Sequence, residues 1–161
     1  VKMNKEAFAE RWTVRSAAGG YLLQAKDGTV YDENILQHVS GQAPLQEIMN
    51  DLVFAYKVVK HVKSNAIVIA RGQQLIGVGA GQMNRLASGR LAWRQAGERS
   101  KGAVLASDGF FPFYDNIEEA AAGGIIAIIQ PGGSVKDTDV IQKAKELNIT
   151  MLLTGQRHFR H

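Results

Sequence analysis

Cysteine is absent from all 161 residues. That removes disulfide frameworks, cysteine-ligated zinc and thiol nucleophiles together, and nothing points to an oxidising compartment. Long hydrophobic runs are missing too. The longest, Ala120 to Ile129, is interrupted by Gly123-Gly124 and falls far short of a bilayer span. No signal-peptide layout opens the chain, so the expectation is a soluble, cytoplasmic protein. There is no internal repeat and no low-complexity linker. A chain with 45% hydrophobic and 21% charged residues then reads as one domain with its own core. It starts on Val1 rather than Met, which raises the expectation of a fragment.

Acidic residues are scarce in one half. Between Lys57 and Lys101 stand nine Lys or Arg residues and one acid, Glu98, within a net charge of only +4. Such a field suits phosphate, carboxylate-bearing ligands or nucleic acid, and equally a solvated basic face.

Periodicity organises what is present. Trp12-Thr13-Val14-Arg15 and Tyr21-Leu22-Leu23-Gln24 are strand-like runs around Ala17-Ala18-Gly19-Gly20, so residues 1–43 are expected to form an irregular antiparallel lead-in. From Pro44 the period is helical, with Leu45, Ile48, Met49, Leu52, Tyr56 and Val59 on one stripe. Lys57, Lys60 and Lys63 gather at its C-terminal end, where cations favour the helix dipole. A buried strand opened by Ser64-Asn65 follows, then a second strand ending in Gly77-Val78-Gly79-Ala80-Gly81-Gln82. Asn84 to Ala96 reads as a helix weakened by Gly89. Beyond Gly97, strands at Ala103 to Ala106, Ile125 to Ile129 and Ile149 to Leu153 alternate with helices. The first of these helices is opened by Asp115-Asn116-Ile117-Glu118 as a capping box, and the second is marked by Val140, Ile141, Ala144 and Leu147. Right-handed crossovers make those strands parallel, and the class is α/β.

Several stretches could carry chemistry. The glycine run lacks the third glycine of a dinucleotide fingerprint, because Gln82 stands there, and its glycines close a second strand rather than a first. Arg85, where a loop enters a helix, favours an anion. Ser64-Asn65 is either a turn pair or an amide offering a donor and an acceptor to a ligand, and nothing local decides. Ser107-Asp108-Gly109-Phe110-Phe111-Pro112-Phe113-Tyr114 sets four aromatic rings, without helix or strand period, at the end of a parallel strand, where open α/β sheets bind ligands. Pro131-Gly132-Gly133-Ser134 and the tail Gln156 to His161 should share that rim. Lys60-His61 suggests an acid/base pair, but helix neighbours point about 100° apart and do not readily serve one centre. His38, His158 and His161 show no metal spacing, and a zinc deaminase is untenable without cysteine.

Ser64-Asn65-Ala66-Ile67, Gly79-Ala80-Gly81-Gln82, the Phe110-Phe111-Pro112-Phe113 run and Asp115-Asn116, in this order, resemble the AICAR transformylase domain of bifunctional purine biosynthesis proteins. The likeness is to the C-terminal half of that domain and runs from about Val14 to His161. It implies formyl transfer from 10-formyltetrahydrofolate to the 5-amino group of AICAR. It also implies a cytidine-deaminase-like, three-layer subdomain without zinc: a mixed sheet with parallel C-terminal strands, helices on both faces, and a core over 44–161.

By motif match, Asn65 is the catalytic residue. Arg85, Gln82, Phe110 and Arg157 would hold AICAR, Phe113, Asp115, Asn116 and Ser134 the folate, and a potassium ion would lie near Ser64 and Asp108. The resemblance further implies a homodimer, an upstream half of the same protein as partner, and neither nucleic acid nor membrane. It departs in one respect. The family's Lys-His pair belongs to a Lys-His-x-x-Pro motif in the other subdomain, which Lys60-His61 does not match, so the catalytic base and the IMP cyclohydrolase domain are both expected to be missing. The competing readings are a non-catalytic nucleotide-binding or assembly module, and a nucleic-acid binder whose affinity would fall steeply with salt.

Overall fold

A computed structural model describes residues 12–161. Residues 1–11 of the expected lead-in lie outside the described residues. The two N-terminal apolar runs form a hairpin, β1 (Trp12–Ala17) against β2 (Gly20–Ala25), with Gly19 supplying the positive φ of the turn. The helical stripe becomes α1 (Gln46–Val59), preceded by a short strand, β3 (Gln37–Ser40). Then come β4 (Ile67–Arg71), β5 (Gln74–Gly79) and α2 (Arg85–Ala96). The chain closes with β6 (Val104–Ser107), α3 (Asp115–Ala122), β7 (Ala127–Gln130), α4 (Asp137–Glu146) and β8 (Thr150–Leu153).

Six strands make one mixed sheet in the order β3-β8-β7-β6-β4-β5. The expected parallel strands β6, β7 and β8 are parallel, and β3, β4 and β5 run antiparallel to their neighbours. Strand alternation sends Ile67, Ile69, Leu105, Ile128 and Met151 to one face, where α2, α3 and α4 cover them. Val68, Ala70, Val104, Ala106, Ile129 and Leu152 point to the other face, onto Leu52, Ala55, Tyr56 and Val59 of α1. Helices thus lie on both faces. Burying each large apolar side chain of this kind contributes about 1.5–3 kcal/mol. No helix among the described residues is long and apolar enough to cross a membrane.

Three local readings change. Gln37–Ser40, inside the expected irregular lead-in, is an edge strand of the main sheet, held by pairing with β8 and by the Ser40 hydroxyl donating to the Ile149 carbonyl at 2.8 Å. The capping box at Asp115 does not form. Tyr114 is the cap and already has helical backbone angles, so Asp115 is the first helical residue and its Oδ1 accepts from the Asn116 backbone N–H at 2.8 Å. Gly89 does not interrupt α2, because the Trp93 ring fills the space above it: a Cβ there would stand 2.5 Å from the ring. Asn84 caps that helix by accepting from the Ala87 N–H at 2.8 Å.

The glycines of β5 serve packing. A Cβ on Gly77 would lie 2.2 Å from the Ala92 carbonyl oxygen, and one on Gly79 would lie 1.8 Å from that of Ser88. Their lack of side chains lets α2 rest directly on the strand.

Candidate functional site

The antiparallel run of β4 places its start level with the end of β6, since Ile67 pairs with Ser107 on one side and with Gly79 on the other. The loops leaving β6, β7 and β8 therefore share an edge with Ser64-Asn65 and with Ala80-Gly81-Gln82. That edge is where sequence reasoning placed the rim.

Asp108 sits at its centre with 0% side-chain exposure. Its Oδ2 accepts from the Ser64 hydroxyl at 2.5 Å and its Oδ1 from the Arg85 guanidinium at 3.0 Å. Its backbone joins two further segments, donating to the Ala66 carbonyl and accepting from the His158 N–H at 2.9 Å. The Ser64 hydroxyl also accepts from the Arg160 N–H at 2.9 Å, and the Ser64 N–H donates to the Arg160 carbonyl at 2.8 Å. One carboxylate thereby ties the β4 entry, the α2 entry and the C-terminal tail together. Arg85 is turned inward, with 10% side-chain exposure and a buried Nε that has no partner. Its guanidinium lies over the Phe159 ring at 5.6 Å from the centroid, and that of Arg157 lies over the same ring at 5.2 Å. Gly109 makes this possible, because a Cβ would meet the Arg85 guanidinium at 2.0 Å.

Asn65 follows a cis peptide bond from Ser64. Its backbone N–H and its side-chain Nδ2 both reach the Gln82 carbonyl, at 3.3 and 2.9 Å, and its own carbonyl accepts from the buried Ser88 hydroxyl at 2.7 Å. The Asn65 Oδ1 meets no donor among the described residues. Gln82 therefore contributes its carbonyl to holding Asn65, while its side-chain amide donates to Ala80 at 3.0 Å.

Phe110 and Arg157 meet across a cleft of about 200 Å³ walled by Pro131, Gly132, Gly133 and Gly155. The aromatic run divides: Phe111 is wholly buried in the core, whereas Phe113 and Tyr114 are exposed. Asn116 is buried, with its Nδ2 toward Asp115 and its Oδ1 unpartnered. Ser134 is engaged in its own loop, where its N–H donates to Asp137 at 3.2 Å and its hydroxyl accepts from the Lys136 N–H at 3.1 Å.

Lys60 and His61 part company. The Lys60 ammonium donates to the Thr29 carbonyl at 2.8 Å and pairs with Asp27 at 3.3 Å, while His61 is exposed. The same Asp27 meets His158 Nδ1 at 2.6 Å, and the other ring nitrogen lies 2.7 Å from the Val30 carbonyl oxygen. Tyr56 packs edge-on against that imidazole, and its hydroxyl meets Thr154 and the Gln156 carbonyl. Burial pushes the Tyr56 phenol above its usual range. Sequence reasoning treated Tyr56 as plain core and saw nothing in His158. The sole available signal was a tail dense in polar and aromatic groups.

Among the described residues no group of three or more His, Cys, Asp or Glu side chains could hold a metal ion. Near Ser64 and Asp108 both carboxylate oxygens already have donors, one of them a cation. A potassium ion there would stand against the Arg85 guanidinium, so these residues do not fit it.

The class so defined is an α/β protein with an aromatic, arginine-lined rim at the carboxyl ends of its parallel strands. A family model described as AICARFT/IMPCHase bienzyme matches residues 1–95, more than half of the chain. The chain belongs to that family. It is 53% identical over 161 residues, all of its length, to the bifunctional purine biosynthesis protein PurH of Anoxybacillus flavithermus, and covers 30% of that protein. Over 149 residues it is 54% identical to PurH of Nostoc punctiforme, covering 92% of this chain and 29% of that one. It therefore spans about 30% of the length of these relatives. Among solved structures, Acinetobacter baumannii RibD aligns with a TM-score of 0.45 and 21% identity over 66% of this chain and 34% of that one.

Proposed function

We propose that this chain is the C-terminal, cytidine-deaminase-like part of an AICAR transformylase, acting without zinc in cytoplasmic purine biosynthesis. Its substrates are AICAR and 10-formyltetrahydrofolate, and its working form is a homodimer completed by the upstream half and the IMP cyclohydrolase domain. The observation that carries this reading is the gathering of Asn65, Gln82, Arg85, Phe110 and Arg157 on one rim in a member of the bienzyme family.

In the transfer, the amino nitrogen of AICAR attacks the formyl carbon and the bond from that carbon to N10 of the folate breaks. The amine gives up one proton and N10 takes one. This amine is a weak nucleophile, since its lone pair is conjugated with the ring and carboxamide, so it needs orientation, a base and stabilisation of the developing oxyanion. Asn65 orients it through the free Oδ1, and the Asn65 amide cannot remove the proton. The base comes from the part of the relatives that this chain does not span, because Lys60 is spent on Thr29 and Asp27. Arg157 and Phe110 seat AICAR, Gln82 fixes Asn65, and Arg85 sets the floor through Asp108. The exposed Phe113, with Asp115, Asn116 and Ser134, receives the folate.

Calorimetric titration with AICAR, and separately with a 10-formyl folate, tests the reading. Both should bind, with turnover at background until the rest of a relative's chain is supplied. If neither binds, the reading fails. Binding with no turnover even then would favour a non-catalytic nucleotide-binding or assembly module, the alternative that the spent Lys60 keeps open.

A further inference from the structure

Residues 155–161 form neither helix nor strand, yet they carry Arg157 to the cleft beside Phe110 and Phe159 to the Arg85 guanidinium. Their backbone is tied on one side, where the His158 N–H donates to the Asp108 carbonyl and Arg160 exchanges two bonds with Ser64. His158 is the one buried residue in this segment, with exposed Arg157 before it and exposed Phe159 after it. Its imidazole enters the body between α1 and residues 27–30, with 0% side-chain exposure.

The contacts of that ring fix where its hydrogens are. Nε2 lies 2.7 Å from the Val30 carbonyl oxygen, which can only accept, so Nε2 carries a hydrogen. An imidazole with no second hydrogen would then turn a bare Nδ1 toward the Asp27 carboxylate 2.6 Å away, setting two acceptors against each other. A second proton is therefore shared between Nδ1 and Asp27. The other groups facing the ring accommodate it: the Lys60 ammonium stands 3.3 Å from the far oxygen of Asp27, and the Tyr56 ring packs edge-on with its centroid 5.1 Å away.

We propose that His158 is the positioning residue of the substrate rim: donating from both ring nitrogens, to Asp27 and to Val30, it sets the tail so that Arg157 and Phe159 face the ligand. It touches no substrate itself and acts through its two neighbours. The ligand's identity rests on the transformylase reading, whereas the hold on the tail rests on these hydrogen bonds. Two bonds aimed in different directions from one planar ring fix its orientation, and a charge-assisted one to a carboxylate is among the stronger kinds. An apolar ring of the same size fills the space against Tyr56 without that direction. The rim is then competent only for the fraction of time that the tail is in place, and the apparent affinity falls by the same fraction.

NMR of the 161-residue chain with isotope-labelled histidine, followed by calorimetry, tests this. In the wild type both ring nitrogens of His158 should carry a hydrogen. His158→Phe keeps a ring against Tyr56 and removes both bonds, so the backbone amides of 157–159 should become mobile and AICAR affinity should fall about tenfold. Affinity for a 10-formyl folate should stay, which shows that the variant is folded. In Asp27→Asn the amide can donate to Nδ1, so the ring should lose one hydrogen while the tail keeps its order. A wild-type ring with a single hydrogen overturns the proposal, as do tail amides equally rigid in His158→Phe, or a loss of folate affinity equal to that for AICAR. A wild type that binds no AICAR would overturn the transformylase reading instead, and the two NMR results would still decide the role of His158.

Discussion

Asp51 and Asp108 are both buried carboxylates near an end of β4, and their partners differ in kind. Asp51, on α1, accepts from the backbone N–H groups of Gly72 and Gln73 at 2.8 and 2.6 Å, in the turn between β4 and β5. Both turn residues have positive φ, so the carboxylate holds a tight turn that the chain would not otherwise keep. Asp108 accepts from two side chains, Ser64 and Arg85, of separate segments. A carboxylate bound to consecutive backbone amides fixes the path of the chain. One bound to side chains from several segments fixes the spacing of groups that a ligand would meet. Burial is common to both, so the partners distinguish a structural acid from one that organises a site.

The largest expected effect follows from that difference. Asp108→Ala leaves the Arg85 guanidinium buried without its counter-charge, and removing one partner of such a pair costs about 3–5 kcal/mol. Denaturant unfolding measures it, and a loss no greater than that of Asp51→Ala would break the comparison. Next is Gly79→Ala. Its Cβ would stand 1.8 Å from a backbone carbonyl of α2, which must move. We expect a loss of about 3 kcal/mol, the upper part of the overpacking range, with weaker AICAR binding because Ser88 and its grip on Asn65 shift together. Unchanged stability would mean that α2 is not seated on β5 as described.

Asp51→Ala removes charge-assisted bonds to two N–H groups and should cost about 2 kcal/mol. It should leave AICAR affinity where it was. A calorimetric titration showing the affinity of Asp51→Ala falling as far as that of Asp108→Asn would erase the distinction between the two ends of the sheet.

The same contrast marks what could be read in the sequence. The rim was legible, because strands β6 to β8 are continuous apolar runs separated by helices, and such strands must be parallel and open at their carboxyl ends. That Ser64 and Asp108 belong together was legible through the resemblance alone, since the hydrogen bond between them joins separate segments. The β5 glycines pointed toward a ligand loop, although what they accommodate is the backbone of α2, a contact with no local signature. β3 was missed because Gln37–Ser40 has no alternation of its own and becomes a strand only by pairing with β8. At Asp115 the capping pattern lost to the preceding loop, which delivers Tyr114 already in helical conformation.

Tyr56 makes the comparison finer, since it lies on α1 as Asp51 does but reaches the tail, bonding Thr154 at 2.8 Å and the Gln156 carbonyl. Burial, the leading cause, raises its folded-state pKa above the ordinary value of 10.0. The fold therefore keeps the phenol neutral where the unfolded chain ionises. The associated stability is fully present below about pH 10 and declines as pH rises through the raised folded value. Tyr56→Phe should be less stable than wild type by about 1 kcal/mol near neutral pH, for the lost hydrogen bonding. Above about pH 10 the wild type alone loses stability to this ionisation, so the two curves should converge. Urea unfolding of both proteins across that range is the measurement. Parallel curves would mean that the phenol is as free to ionise in the fold as out of it, and that α1 does not hold the tail through Tyr56.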